Sequence, residues 1–174
     1  FEDRAFFEAL IPEMARDMAR DVRRDPEMRD TPLAQLNRAD WEQVLRVALP
    51  PEEMQGWAQD ANDAFRRGLR RGRGQLFEDV IIPFGAVRTN IIEDPDHTVL
   101  RTLLQAQPVC DTGEEPLGGE YDLLPQCRLA EGQEAFVERL AMRWREEPRQ
   151  VWRQLMPEEI EPYTADIALD EYIA

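Results

Sequence analysis

Residues 49–84 read LPPEEMQGWAQDANDAFRRGLRRGRGQLFEDVIIPF, and this stretch decides the fold class. Pro50 and Pro51 end one helix and start the next, because proline is tolerated in a first turn and not within a helix. From Pro51 to about Arg71, the residues Met54, Trp57, Ala58, Ala61, Phe65 and Leu69 recur three or four apart, the spacing of one helical face. Arg66, Arg67, Arg70 and Arg71 crowd the C-terminal end, where cations oppose the helix dipole. Gly68, Gly72 and Gly74 loosen and then stop the helix. Leu76 to Ile82 is too short and too β-branched for another buried helix, and predicts a strand closed by Pro83. A lone strand leaves its backbone groups unpaired. The partner expected is Ala165 to Leu169, where Ile167 and Leu169 alternate with Asp166 and Asp170.

Outward from this centre the pattern is helical in both directions. Phe7, Leu10, Ile11, Met14, Met18 and Val22 form a stripe over a first helix, which Pro12 can start or kink. Arg23 to Pro32 is polar and reads as a linker. Residues 1–30 are therefore expected as an N-terminal amphipathic helix and residues 31–174 as a single helical domain. Asn37 is the expected N-cap of the next helix, with Asp40 in its first turn and Trp41, Val44, Leu45, Ala48 and Leu49 on its inner face. Asp94-Pro95 reads as an acidic cap followed by proline at the first helical position. Val99, Leu100, Leu103 and Leu104 follow, and Pro108 stops that helix. Phe136, Val137, Leu140, Ala141 and Trp144 mark a helix from about Ala130 to Arg145. Pro148 interrupts, and Val151, Trp152, Leu155 and Met156 mark a shorter helix before Pro157 and Pro162. The fold class expected is mainly α with a small β element (α+β). Amphipathic helices would pack around a short strand pair, with one disulfide-closed loop.

Composition narrows the function classes. The 174 residues suit one domain, and 43% apolar residues suffice for a core. The formal charge is −15, and residues 111–174 carry 16 acidic residues against 6 Arg, so the surface repels nucleic acid and anionic lipid. All 21 basic residues are Arg, and the chain contains neither Lys nor Ser. Serine nucleophiles, Schiff-base lysines and a phosphate loop with its lysine are thereby excluded. No run approaches the ~18 apolar residues of a membrane helix, and no signal peptide is visible. The chain begins at Phe1 rather than Met, as expected of a processed form or a piece of a longer protein with segments outside it.

Cys110 and Cys127 flank an irregular loop containing Gly113, Pro116, Gly118, Gly119 and Pro125. Neither lies in an apolar run as a core thiol would. Together they read as a disulfide formed in an oxidising compartment, worth about 3 kcal/mol of unfolded-state entropy. C-x-x-C spacing and a nearby His are both missing, which argues against zinc. The only histidine, His97, sits among acids that read better as a helix start than as metal ligands. A pocket around Arg88 and His97, or a Cys110–His97 pair, is the enzymatic alternative. Glu114, Glu115, Glu120 and Asp122 do not match the spacing of a calcium-binding hand. Arg66, Arg67, Arg70, Arg71 and Arg73 form a candidate anion or partner patch; the simpler reading pairs them with the chain's own acids. No metal or cofactor is expected.

Leu49-Pro50-Pro51-Glu52-Glu53-Met54-Gln55-Gly56-Trp57 opens a helix leading to the strand that ends at Pro83. Leu100-Arg101-Thr102-Leu103-Leu104, Pro108-Val109-Cys110 and the second cysteine follow. This order resembles an uncharacterised group of bacterial membrane-anchored proteins with an extracytoplasmic L-P-P-helix, a strand and a P-x-C…C loop. The resemblance covers roughly residues 38–157. It implies an outward-facing domain between membrane segments, with no known activity and no catalytic residues to carry over. The function expected is a non-enzymatic extracytoplasmic domain that senses, binds or scaffolds. Its partner would be a protein or a small molecule and not nucleic acid, with the membrane reached only through segments outside residues 1–174. A cytosolic interaction module is the further alternative, with homo-oligomerisation through the first helix at Phe6, Phe7 and Met14.

Overall fold

A computed structural model describes residues 3–72 and 76–174. The first helix, α1 (Arg4–Arg24), begins at Asp3, whose carboxylate accepts from the Ala5 N–H at 3.0 Å. Pro12 lies inside it, and the helix runs on to Arg24. Its buried face is Phe7, Ile11, Ala15, Ala19 and Val22, and it packs along α2 (Arg38–Ala48). The two alanines make that close approach possible. Met18, expected in the stripe, lies at its rim with 37% of its surface exposed. The polar stretch after α1 folds into turns that bury Met28, followed by a 3-10 turn at Pro32–Gln35. Arg23 ties the two together by donating to the carbonyls of Ala34 and Leu36 at 3.3 and 3.2 Å.

The start of α2 follows the sequence closely. The Asn37 side chain accepts from the Asp40 N–H, and the Asp40 carboxylate accepts from the Asn37 N–H, both at 2.9 Å. This reciprocal arrangement satisfies two otherwise orphaned donors. Trp41, Val44, Leu45 and Ala48 are buried behind it.

Helix α3 (Pro51–Arg71) corrects the expectation drawn from its stripe. Its buried residues are Pro51, Ala64 and Gly68, whereas Met54, Trp57 and Phe65 are half-buried and Leu69 is 57% exposed. Spacing tells which face turns inward, not how far a neighbour extends to meet it. Here α1 covers part of α3, and Phe65 meets Phe77 at 5.9 Å between ring centroids.

The strand pair forms, but is shorter than expected. β1 (Ile81–Ile82) runs antiparallel to β2 (Ile167–Ala168), with Ile81 opposite Ala168 and Ile82 opposite Ile167. Residues 76–79 are bends and turns, so the predicted seven-residue strand contracts to its β-branched end. Next comes α4 (Phe84–Ile92), and its N-terminus is capped from far along the chain. One oxygen of Asp166 accepts from the N–H groups of Gly85 and Ala86 at 2.9 and 3.4 Å. A Cβ at Gly85 would lie 3.0 Å from that oxygen, which is why the position suits glycine.

Helix α5 (Thr98–Ala106) starts later than Asp94-Pro95 suggested. Pro95 and Asp96 form a turn, His97 takes a left-handed conformation (φ 52°), and Asp94 accepts from the Thr98 N–H at 2.7 Å. Asp94 thus caps the helix across an intervening turn. Val99, Leu100, Leu103 and Leu104 of α5 are almost fully enclosed by α2 and by α6 (Gln133–Glu146). Pro148 restarts the chain as α7 (Pro148–Leu155), which buries Val151, Trp152 and Leu155. Past Pro157 the tail returns to the strand pair and ends in α8 (Leu169–Ile173). Phe84 anchors that return: Tyr163 stacks on it at 5.6 Å, with Tyr172 at 5.8 Å and Trp152 edge-on at 6.2 Å. The structure is therefore mainly helical with one two-stranded antiparallel sheet, as expected. Among the described residues, no helix is long and apolar enough to cross a membrane.

Candidate functional site

Cys110 and Cys127 are bonded, with their Cα atoms 4.9 Å apart, so the expected disulfide closes the expected loop. The bond is not the loop's only restraint. Cys110 N–H donates to the Arg128 carbonyl and Arg128 N–H to the Pro108 carbonyl, both at 2.9 Å. Leu123 and Leu124 are buried in the core. The Trp144 indole N–H donates to the Leu123 carbonyl at 2.8 Å, and Gln154 accepts from the Leu123 N–H and donates to the Tyr121 carbonyl, both at 2.7 Å. Side chains of α6 and α7 thus supply the partners that a ladder would supply in a sheet.

One acid of this loop serves its own turn. Glu114 accepts from the Asp111 N–H at 2.7 Å. Its carboxylate also lies near both cysteine sulfurs, but those sulfurs are bonded to each other and offer no thiolate to a metal. The same bond removes Cys110 as a nucleophile beside His97.

His97 is buried, with Nε2 3.7 Å from Glu138 Oε2. Beside it Arg101 grips Glu134 with both guanidinium nitrogens, and that hydrogen bond holds the Glu134 carboxyl below the usual range. Arg88 lies elsewhere, in a shallow groove with Glu53, Asn90 and Asp166. In the basic run, Arg71 and Arg67 both turn to Asp79, at 2.7 and 3.8 Å, while Arg66 and Arg70 are exposed. Arg73 lies outside the described residues. On the first helix, Phe7 is buried in this chain's own fold, Met14 packs partly against the core and Phe6 is 42% exposed.

Two hollows were not visible in the sequence. One is acidic, about 430 Å³, with Glu27, Asp30, Asp122, Glu158 and Glu161 around Arg153. Repulsion from Glu158, helped by partial burial and Asp25, raises the Glu27 carboxyl above its ordinary value. The other is apolar, about 230 Å³, between α1, the 3-10 turn, α2, α4, α5, and α7 with the chain that follows it. Its walls include Val22, Leu33, Trp41, Val44, Leu103 and Leu155. The Trp41 indole N–H is buried and has no hydrogen-bond partner among the described residues. Trp41 and Val44 were legible as one helical face, but no spacing signals that so many segments leave a gap where they meet.

Comparison with protein-family models, curated proteins and solved structures gives no match to this chain.

Proposed function

We propose that this chain is a non-enzymatic binding domain displayed outside the cytoplasm, as part of a bacterial protein anchored by membrane segments outside residues 1–174. The observation that supports the reading is the Cys110–Cys127 bond, which closes a glycine- and proline-rich loop held against α6 and α7 by Trp144 and Gln154. Such bonds persist in oxidising compartments and are reduced in the cytosol. The strongly acidic surface suits a protein or uncharged small-molecule partner and not a polyanion. Thiol trapping in intact cells tests the compartment: the cells are acid-quenched, alkylated before and after reduction, and the intact mass is measured. Protection of both thiols until reduction is the expected result. Free alkylation of both would place the chain in a reducing compartment and end the reading.

A contact between two copies through α1 is the second reading, favoured by the exposed Phe6 on its outer face and Met18 at the rim of its buried one. Sedimentation equilibrium of the intact chain and of a Phe6→Glu/Met18→Glu variant tests it. Monomeric behaviour of both at 100 μM, well above about 1 μM where a modest interface associates, would remove that reading.

A further inference from the structure

We propose that an arginine-lined hollow between the end of α1 and the start of α2 binds a compact phosphate monoester as its dianion. The site goes beyond the partner read from the overall charge, and free thiols in the trapping experiment would leave it standing.

Arg16, Arg20, Arg23 and Arg24 recur at helical spacing, so they share one side of α1. The packing of α1 along α2 brings Arg38 up beside them, with Asn37 at the helix start. These side chains line a hollow of about 420 Å³, and no acid is among the described residues of the lining. The chain has 36 Asp and Glu against 21 Arg, so five arginines around one hollow reverse the sign of the surface locally.

Three of the five are not neutralised. Arg16 is engaged by Glu13 and Asp17, and Arg20 by Asp17 and Asp21. Arg23 donates to the Ala34 and Leu36 carbonyls, which orient its guanidinium without cancelling its charge. Arg24 and Arg38 are exposed and have no ion-pair or hydrogen-bond partner among the described residues. The Asn37 carboxamide oxygen is taken by the Asp40 N–H, which leaves its NH₂ group as a further donor. The Asp40 carboxylate is turned to the Asn37 N–H.

Guanidinium forks match the oxygens of a phosphate, and such charge-assisted bonds are about twice as strong as neutral ones. A carboxylate brings one charge and two oxygens to these three cations. A phosphate monoester brings up to two charges and three oxygens. The neighbouring acids set the upper limit on size. Glu13, Asp17 and Asp21 flank the arginines along α1, and the chain as a whole carries −15. A nucleic acid strand or an anionic lipid surface would meet repulsion once it ran past the hollow.

Methyl phosphate, dimethyl phosphate and acetate separate these chemistries. The first is a monoester dianion, the second has the single charge of a nucleic acid or lipid diester, and the third is a carboxylate. Each is titrated into the oxidised, intact chain at pH 7.5 and fixed ionic strength. The readout is the backbone amide signals of Arg24 and Arg38 and the arginine Nε–H signals in a ¹⁵N–¹H correlation spectrum.

Methyl phosphate is expected to move these signals saturably. Dimethyl phosphate and acetate should bind at least about tenfold more weakly, the worth of one charge-assisted hydrogen bond. Arg24→Gln/Arg38→Gln should weaken methyl phosphate by about tenfold or more, whereas Arg66→Gln/Arg70→Gln, on the exposed side of α3, should leave it unchanged. Should the first pair fail to fold, Arg24→Gln alone carries the same expectation of weaker binding. The proposal is overturned if methyl phosphate leaves the signals in place, if the diester or acetate binds as tightly, or if Arg24→Gln/Arg38→Gln folds and binds like the wild type. Tighter binding of a short single-stranded DNA or of phosphatidate vesicles than of methyl phosphate, at about 0.15 M salt, overturns it too.

Discussion

Replacing Cys110 and Cys127 together by Ala should lower stability by about 3 kcal/mol, the loop entropy released when a 17-residue closure is opened. For a chain of this size that is a fall of roughly 6–12 °C in Tm. The loss belongs to the unfolded chain, because the folded loop has other anchors. Leu123 and Leu124 stay buried, and Trp144 and Gln154 still hold the backbone at Tyr121 and Leu123. Guanidinium unfolding of the oxidised, reduced and substituted chains, followed by tryptophan fluorescence, measures the difference. The denaturant slope should rise once the bond is gone, because the unfolded chain then exposes more surface. Amide exchange at Leu123, measured alongside, should keep most of its protection relative to global unfolding. A stability loss under about 1 kcal/mol would refute the closure argument. Collapse of Leu123 protection on reduction, with the rest of the fold intact, would show that the bond holds the native loop itself.

Three further outcomes can be checked. Trp144→Phe keeps most of the buried ring but leaves the Leu123 carbonyl without its donor, and should cost about 1–3 kcal/mol in the same unfolding assay. Asp166→Ala removes the acceptor at the start of α4 and should cost about 1 kcal/mol, with faster exchange at Gly85 and Ala86 than elsewhere in α4. The Glu27 carboxyl is raised in the folded chain, chiefly by Glu158, so folding favours its protonated form. That contribution is fully present below the ordinary glutamate pKa of about 4.3 and is lost as pH rises through the raised value. Glu27→Gln should therefore stabilise the chain at pH 7 and lose its advantage near pH 4; an advantage independent of pH would refute the cause.

Much of the architecture was written locally. The pairing of Ile81-Ile82 with the segment around Ile167 is long-range and was legible from two short β-branched runs, whereas the Asn37/Asp40 cap and the proline breaks at Pro50-Pro51 and Pro148 rest on short-range chemistry. So does the meeting of Cys110 with Cys127, whose flanking turns bring them together. The failures share a different cause. Leu69 has the spacing of a core residue, yet 57% of its surface is exposed. Asp94 caps from four residues away because Pro95 and Asp96 turn before the helix can start. Alanines 15 and 19 outrank the larger Met18 at the α1–α2 contact because closeness there matters more than size. The cavity beside Trp41 was illegible for the same kind of reason: a gap belongs to no single element.

The cap that Asp166 places on α4 joins residues 81 positions apart. Closing so long a span costs about 1.4 kcal/mol more entropy than closing the cysteine loop, and it cannot be formed until Asp166 has been made. The tail should therefore dock last, as the slow and local step of folding. Until it does, Phe84 lacks the cover of Tyr163 and Tyr172, and β1 is an unpaired edge. The nascent domain passes through a sticky interval before residues 163–172 dock. A truncation that spares every core residue but stops short of Asp166 would leave it there.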